Sequence, residues 1–215
     1  EPTSVISNAY LKGVWPPQKR NPVKALFVAK NLARSHREAY RVIKEVSPEA
    51  RVGFGNIMTD FESKGPVSSI LEFWTNEFFL DLCGIETQDY LALQYYFHRR
   101  GFFERSSTGK VSDMGWELYP EGIYPLLKNL NRYGKPIYVT ENGLADADDR
   151  YREWFIKETL KSLARAVEDG VDLRGYFHWS LLDNFEWDKG FWPRFGLIEV
   201  DRTNLERRPR PSADY

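Results

Sequence analysis

Four short apolar runs alternate with long helical stretches, and this alternation restricts what the chain can fold into more than any other feature. The runs are RVGFGNIM at 51–58, DYLALQYY at 89–96, PIYVTEN at 136–142 and RGYFHWSLL at 174–182. They are short and rich in β-branched and aromatic residues, as buried strands are. From Pro22 to Val46, Leu26, Ala29, Leu32, Ala33, His36, Ala39, Tyr40, Ile43 and Val46 recur at three- and four-residue steps. That spacing predicts one amphipathic helix, entered at a proline and closed by Ser47-Pro48. Residues 66–82, 120–133 and 150–168 read as further helices. Residues 3–20, 59–65 and 183–195 read as loops, as does the long stretch before residue 120. Residues 209–215 read as the first turn of a last helix. Strands separated by helices of this length need crossover connections. The expected fold is therefore α/β, with adjacent parallel strands in chain order and an uncovered inner face.

Composition narrows the function classes. The 215 residues, 42% of them hydrophobic, suffice for one large globular domain. Thirty Lys and Arg against 31 Asp and Glu leave a formal charge of -1, so no global field favours nucleic acid or an anionic membrane. No run of ~18 or more apolar residues offers a membrane span, and no signal-peptide pattern opens the chain. Cys83 is the single cysteine, which excludes an intrachain disulfide and fits a cytoplasmic location. Gly53-Phe54-Gly55 lies inside a strand candidate and lacks the third glycine of a phosphate loop. There is no CxxC, no HExxH and no clustered His or Cys, so neither a metal nor another cofactor is expected. Of the three histidines, His36, on a helix, reads as structural. Seven Trp and twelve Tyr suit a core, or a cleft in which rings stack on the C–H faces of sugars.

The sharpest chemical signal is Glu141. The run Ile137-Tyr138-Val139 stops at Thr140-Glu141-Asn142-Gly143, so an acid stands where a buried strand ends. A buried carboxylate is costly unless it is paired, hydrogen-bonded or used. In parallel α/β sheets functional side chains gather at the C-terminal strand ends. A lone strand-end Glu could equally cap the next helix or meet a surface Lys.

Larger motifs resolve that choice. TENG at Thr140–Gly143 and HWSLLDNFEW at His178–Trp187 resemble the family 1 glycoside hydrolases, the β-glucosidase and β-galactosidase group. Other residues agree in order along nearly the whole chain. Glu1-Pro2 resembles the end of the family's Asn-Glu-Pro motif, and Trp15-Pro16-Pro17 its following loop. Asn31-Leu32, His36 and Ala39-Tyr40 are similar to the next helix. Trp116 with Tyr119-Pro120-Glu121-Gly122, Arg194-Phe195-Gly196-Leu197 and Arg210-Pro211-Ser212-Ala213 resemble later family segments. Residues 89–96 resemble a strand that usually ends Asn-Tyr-Tyr. Here Gln94 replaces the Asn, and its extra methylene leaves its role unassigned.

The resemblance implies a (β/α)8 TIM barrel, with this chain a single partial catalytic domain over residues 1–215. Its four strands would be the fifth to eighth, and the N-terminal half of the barrel would be a missing partner. It also implies a retaining β-glycosidase acting on a β-glucoside or β-galactoside. Such an enzyme uses two carboxyls ~5–5.5 Å apart. By motif, Glu141 matches the nucleophile, Glu1 the acid/base and Tyr96 the tyrosine that donates to the nucleophile. Glu186 and Trp187 match residues that hold the glycone, Trp179 the platform beneath it and Phe195 a pocket wall. Read without the resemblance, Trp179 and Phe195 are ordinary core aromatics. The Glu186-Trp187 pair argues against the related 6-phospho-β-glycosidases. A competing reading from another class is an inactive half barrel serving only as a binding or assembly module, because half a barrel has raw edges and an unpacked interior.

Overall fold

The computed structural model of the protein describes residues 1–62, 65–100 and 108–214. Strands β1 (Gly55–Phe61), β2 (Leu91–Arg99), β3 (Ile137–Gly143) and β4 (Leu173–Trp179) form one sheet in chain order. Every neighbouring pair is parallel, as the alternation of strands and helices predicts. A short antiparallel pair, β5 (Ile198–Val200) and β6 (Arg207–Pro209), lies outside that sheet. At three residues each, these strands are too short to show a period in the sequence.

Helix α2 (Pro22–Val46) has the expected limits, and the Asn21 side chain caps it by accepting from Lys24 N at 3.0 Å. Helices α5 (Ile123–Asn131) and α6 (Arg152–Glu168) pack on one face of the sheet. The main core there joins Leu91, Leu93 and Tyr95 of β2 with Ile137 and Val139 of β3. Opposite them stand Leu126, Leu127 and Leu130 of α5 and Leu163 and Ala166 of α6. Because side chains alternate along a strand, Ala92, Gln94 and Tyr96 point to the other face. A smaller cluster of Ala33, Phe79 and Cys83 fastens α2 to the helix that follows β1.

Several sequence expectations are corrected. Residues 3–20 do not form one loop: α1 (Pro2–Val5) runs on as a π-helical turn at Ile6–Leu11. The turn-forming Gly13, Pro16 and Pro17 all lie beyond it, and Pro2 suits a first helical turn. The Thr3 hydroxyl donates to Asn56 Oδ1 at 2.9 Å and ties α1 to β1. Strand β1 begins four residues later than expected and continues through Thr59 and Asp60, which were expected in a loop. Asn56, Thr59 and Asp60 are polar but buried. The Asn76 amide satisfies both Thr59 N and Thr59 O at 2.9 Å, so polar residues can stay in the sheet.

Residues 66–82 are likewise not a single α-helix. They form α3 (Pro66–Glu72), a π-helical turn at Phe73–Glu77 that carries Asn76, and α4 (Phe78–Cys83). Strand β4 stops at Trp179 rather than at 182, where Leu182 leaves to bridge Ile198. The chain closes in a 3₁₀ turn at Pro211–Asp214. Residues 101–107 of the expected long loop lie outside the described residues.

Candidate active site

Strict alternation along β3 would put Ile137, Val139 and Glu141 on the helix-covered face. The register instead shifts on both sides of β3: Val139 pairs Leu93, the next partner pair is Gln94 with Glu141, and the pairing with β4 slips between Val139 and Asn142. Such irregularities re-aim a side chain. Here Glu141 is turned to the side of Gln94 and Tyr96. Asn142, wholly buried, donates instead to Tyr95 O at 2.7 Å and locks the irregular segment.

Each oxygen of the Glu141 carboxylate then has its own donor. Gln94 Nε2 donates to Oε1 at 2.6 Å, and the Tyr96 hydroxyl donates to Oε2 at 2.9 Å. Burial raises the Glu141 carboxyl above its usual range, and the nearby Glu1 charge adds to this. The Tyr96 and Gln94 hydrogen bonds oppose both without cancelling them. Tyr96 is itself raised well above an ordinary tyrosine, first by burial and then by Glu141, so it stays a donor. Behind it, Trp116 packs edge-on at 5.8 Å.

Glu1, at the start of α1, is close enough for its charge to raise both Glu141 and Glu186. Glu186 is pushed up to about 7, chiefly by burial, then by Glu1, Glu141 and Asp188. Glu1, Tyr96, Glu141 and Glu186 thus form one electrostatic cluster at the C-terminal end of the sheet. Trp179 ends β4 beside it and pairs with Gly143. A side chain at Gly143 would fall on the Trp179 carbonyl oxygen, so the glycine permits the close approach of the two strands.

Two expected site residues stand apart. Trp187 is 67% exposed and its ring lies 5.9 Å from Trp15. The Trp15 indole donates to Asp188 Oδ1 at 3.0 Å, joining the loop after α1 to the loop after β4. Phe195 is only 1% exposed and packs on Trp116 at 6.1 Å. It backs the tryptophan that supports Tyr96 and does not present an open wall. Sequence reasoning left Gln94 without a role. The signal was there in the two-residue step to Tyr96, which puts both on one strand face.

Glu186 carries a pH prediction. Its folded-state value lies above the ordinary carboxyl value, so the folded protein binds more protons than the unfolded chain between pH ~4.5 and ~7. Its contribution to stability therefore falls as pH rises through that window. Glu186→Gln should raise stability relative to the parent at pH 8, with the difference shrinking as the pH drops to 5. Thermal unfolding of both proteins at several pH values measures this. A constant difference would contradict the electrostatic cluster.

The loop that carries Glu186 is held by buried charges. Asp183 accepts from Arg210 Nη2 at 2.9 Å, Arg210 Nη1 at 3.2 Å and Gly196 N at 3.0 Å. Burial alone would raise Asp183, but these donors hold it below the usual carboxylate range. Next to it, the fully buried Arg152 donates to Asp149, to Asp146 O at 2.6 Å and to Arg194 O at 3.0 Å. His36 Nε2 lies 2.9 Å from the Thr87 carbonyl oxygen and 2.7 Å from Gln88 Nε2, contacts that tie α2 to the turn before β2. Among the described residues no group of three His, Cys, Asp or Glu is placed to hold a metal ion. No helix among them is long and apolar enough to cross a membrane.

Comparison with known proteins points the same way. The model of the family described as glycosyl hydrolase family 1 matches residues 74–215. A β-galactosidase from Pyrococcus woesei is 54% identical over 100 residues, covering 46% of this chain and 20% of that protein. β-Glucosidase A from Thermotoga maritima is 30% identical over 96% of this chain and 58% of its own length. Among solved structures, a β-glycosidase from Pyrococcus horikoshii superposes with a TM-score of 0.89 at 35% identity, over 99% of this chain and 57% of its own. The chain spans less than two thirds of the length of each of these relatives.

Proposed function

The chain belongs to glycosyl hydrolase family 1, and on that premise we propose that it carries the catalytic carboxyls of a retaining β-glycosidase. The observation that carries this reading is the Glu141 carboxylate, turned out of the core by the irregular register and gripped by one donor on each oxygen. In this reading Glu141 attacks the anomeric carbon. Glu1 protonates the departing oxygen and then activates the water that releases the sugar. Such a cycle needs two neighbouring carboxyls, one holding a proton while the other is ionised, and the charge of Glu1 is close enough to act on Glu141.

Glu186 is proposed to accept hydrogen bonds from glycone hydroxyls, with Trp187 beside it and Trp179 as the platform below. The substrate class is a terminal β-linked glucoside or galactoside, in keeping with relatives named β-glucosidase and β-galactosidase. No cofactor enters the mechanism.

The sheet supports a further part of the proposal. β1 and β4 each have an unpaired edge among the described residues, and the solved relatives are (β/α)8 barrels about half covered by this chain. We take β1 to β4 as strands five to eight of such a barrel, whose first half would pair both edges and complete the glycone site.

The test is the stereochemistry of the full-length protein carrying this chain. Proton NMR of p-nitrophenyl β-glucoside hydrolysis should show the β-anomer of glucose first, with the α-anomer growing in by mutarotation. An initial α-anomer would mean inversion, and no hydrolysis of either a β-glucoside or a β-galactoside would remove the proposal.

A further inference from the structure

Gln94 is buried, 6% exposed, and its amide ends 2.6 Å from Glu141 Oε1. An ionised carboxylate only accepts hydrogen bonds, so the atom facing it must be the NH₂ group. The amide oxygen is thereby turned away, and among the described residues it has no partner. This side chain is fully committed to the carboxylate.

Its reach depends on the neighbouring strand. In the β1–β2 pairing Gly55 stands opposite Ala92 and Ile57 opposite Gln94. A Cβ added at Gly55 would lie 3.1 Å from Gln94 Nε2, 3.2 Å from Cδ and 3.4 Å from Oε1, and these are its nearest neighbours. Gly55 does not have the positive φ that demands glycine, since it is absent from the positive-φ residues. What glycine supplies here is room for the long amide side chain.

We infer that Gly55 and Gln94 act as a pair that positions the Glu141 carboxylate: the missing side chain of one lets the amide of the other cross to Oε1. The inference rests on the reading of Glu141 as nucleophile. Gln94 is a positioning residue, acting through Glu141 and not on the substrate. With Tyr96 on Oε2 it fixes the carboxylate plane, and both donors favour the ionised form needed for attack.

The experiment uses the full-length protein carrying this chain and follows kcat/KM for an aryl β-glucoside against pH. The acid limb of that profile reports the ionisation of essential groups of the free enzyme. Gln94→Ala should move the acid limb to higher pH and lower kcat/KM about tenfold to hundredfold, the scale of one charged hydrogen bond. Gly55→Ala should move the limb the same way by less. In the Gln94→Ala background, Gly55→Ala should add no further movement, because its side chain then has nothing to displace. Gln94→Asn, which keeps an amide but falls one methylene short, carries the test if Gln94→Ala does not fold.

An acid limb unmoved in Gln94→Ala or Gln94→Asn overturns the inference. So does an equal effect of Gly55→Ala in both backgrounds. Glu141→Ala run alongside separates the two readings. Activity surviving that change removes the nucleophile role itself, whereas its loss beside an unmoved Gln94 profile overturns only the Gly55–Gln94 pair.

Discussion

If Glu141 is the proposed nucleophile, replacing it by Ala in the full-length protein carrying this chain should lower turnover of an aryl β-glucoside by about 10⁴-fold or more, the scale expected when a covalent nucleophile is removed. Added azide or formate should then restore part of the rate. The truncated side chain leaves a space the size of a small anion between Gln94 and Tyr96, whose donors face it. An anion there attacks from the side the carboxylate used, and no second displacement follows. The product should therefore be the α-configured glycosyl azide or its formate equivalent. The effect should be clearest with a good leaving group such as dinitrophenolate, which needs no proton from Glu1. Product analysis by NMR decides the matter. A β-configured product, or full activity without added anion, would contradict the nucleophile role.

The largest stability effect should come from Asp183. It is 3% exposed and sits opposite the guanidinium of Arg210, which is itself buried. Asp183→Ala would leave that guanidinium without its counter-charge and free the Gly196 N–H. Removing one member of a buried pair costs about 3–5 kcal/mol, of order 10 °C in Tm for a protein of this size. Arg208→Ala is the control, because its ion pairs with Glu206 and Asp201 lie at the surface, where solvent screens them and little stability is lost with them. Urea unfolding of the two variants should separate them clearly. Equal, small effects would mean that the Asp183 network does not hold the loop. Glu186 and Trp187 lie on the loop anchored at Asp183, so under the proposed function loss of that anchor should also weaken sugar binding by the full-length protein.

The order and direction of the four strands of the main sheet and the full extent of α2 were legible from the amino-acid sequence, whereas the short β5–β6 pair was not. The former follow from local periodicity and from the length of chain between runs, which tertiary contacts do not alter. The motifs TENG and HWSLLDNFEW likewise pointed to Glu141 and Glu186 before any coordinate. What the chain alone did not reveal depends on contacts between residues far apart in it. β1 runs through polar residues because Asn76, on a π-helical turn, satisfies Thr59. Glu141 would face the core by simple alternation, and only the slipped pairing with β2 and β4 turns it outward. Phe195 looked like a pocket wall but is buried behind Trp116. Gln94 looked like an uncertain replacement until Gly55, on the adjacent strand, made room for it. A side chain's residue type is local information, whereas the space and partners that decide its role come from elsewhere in the fold.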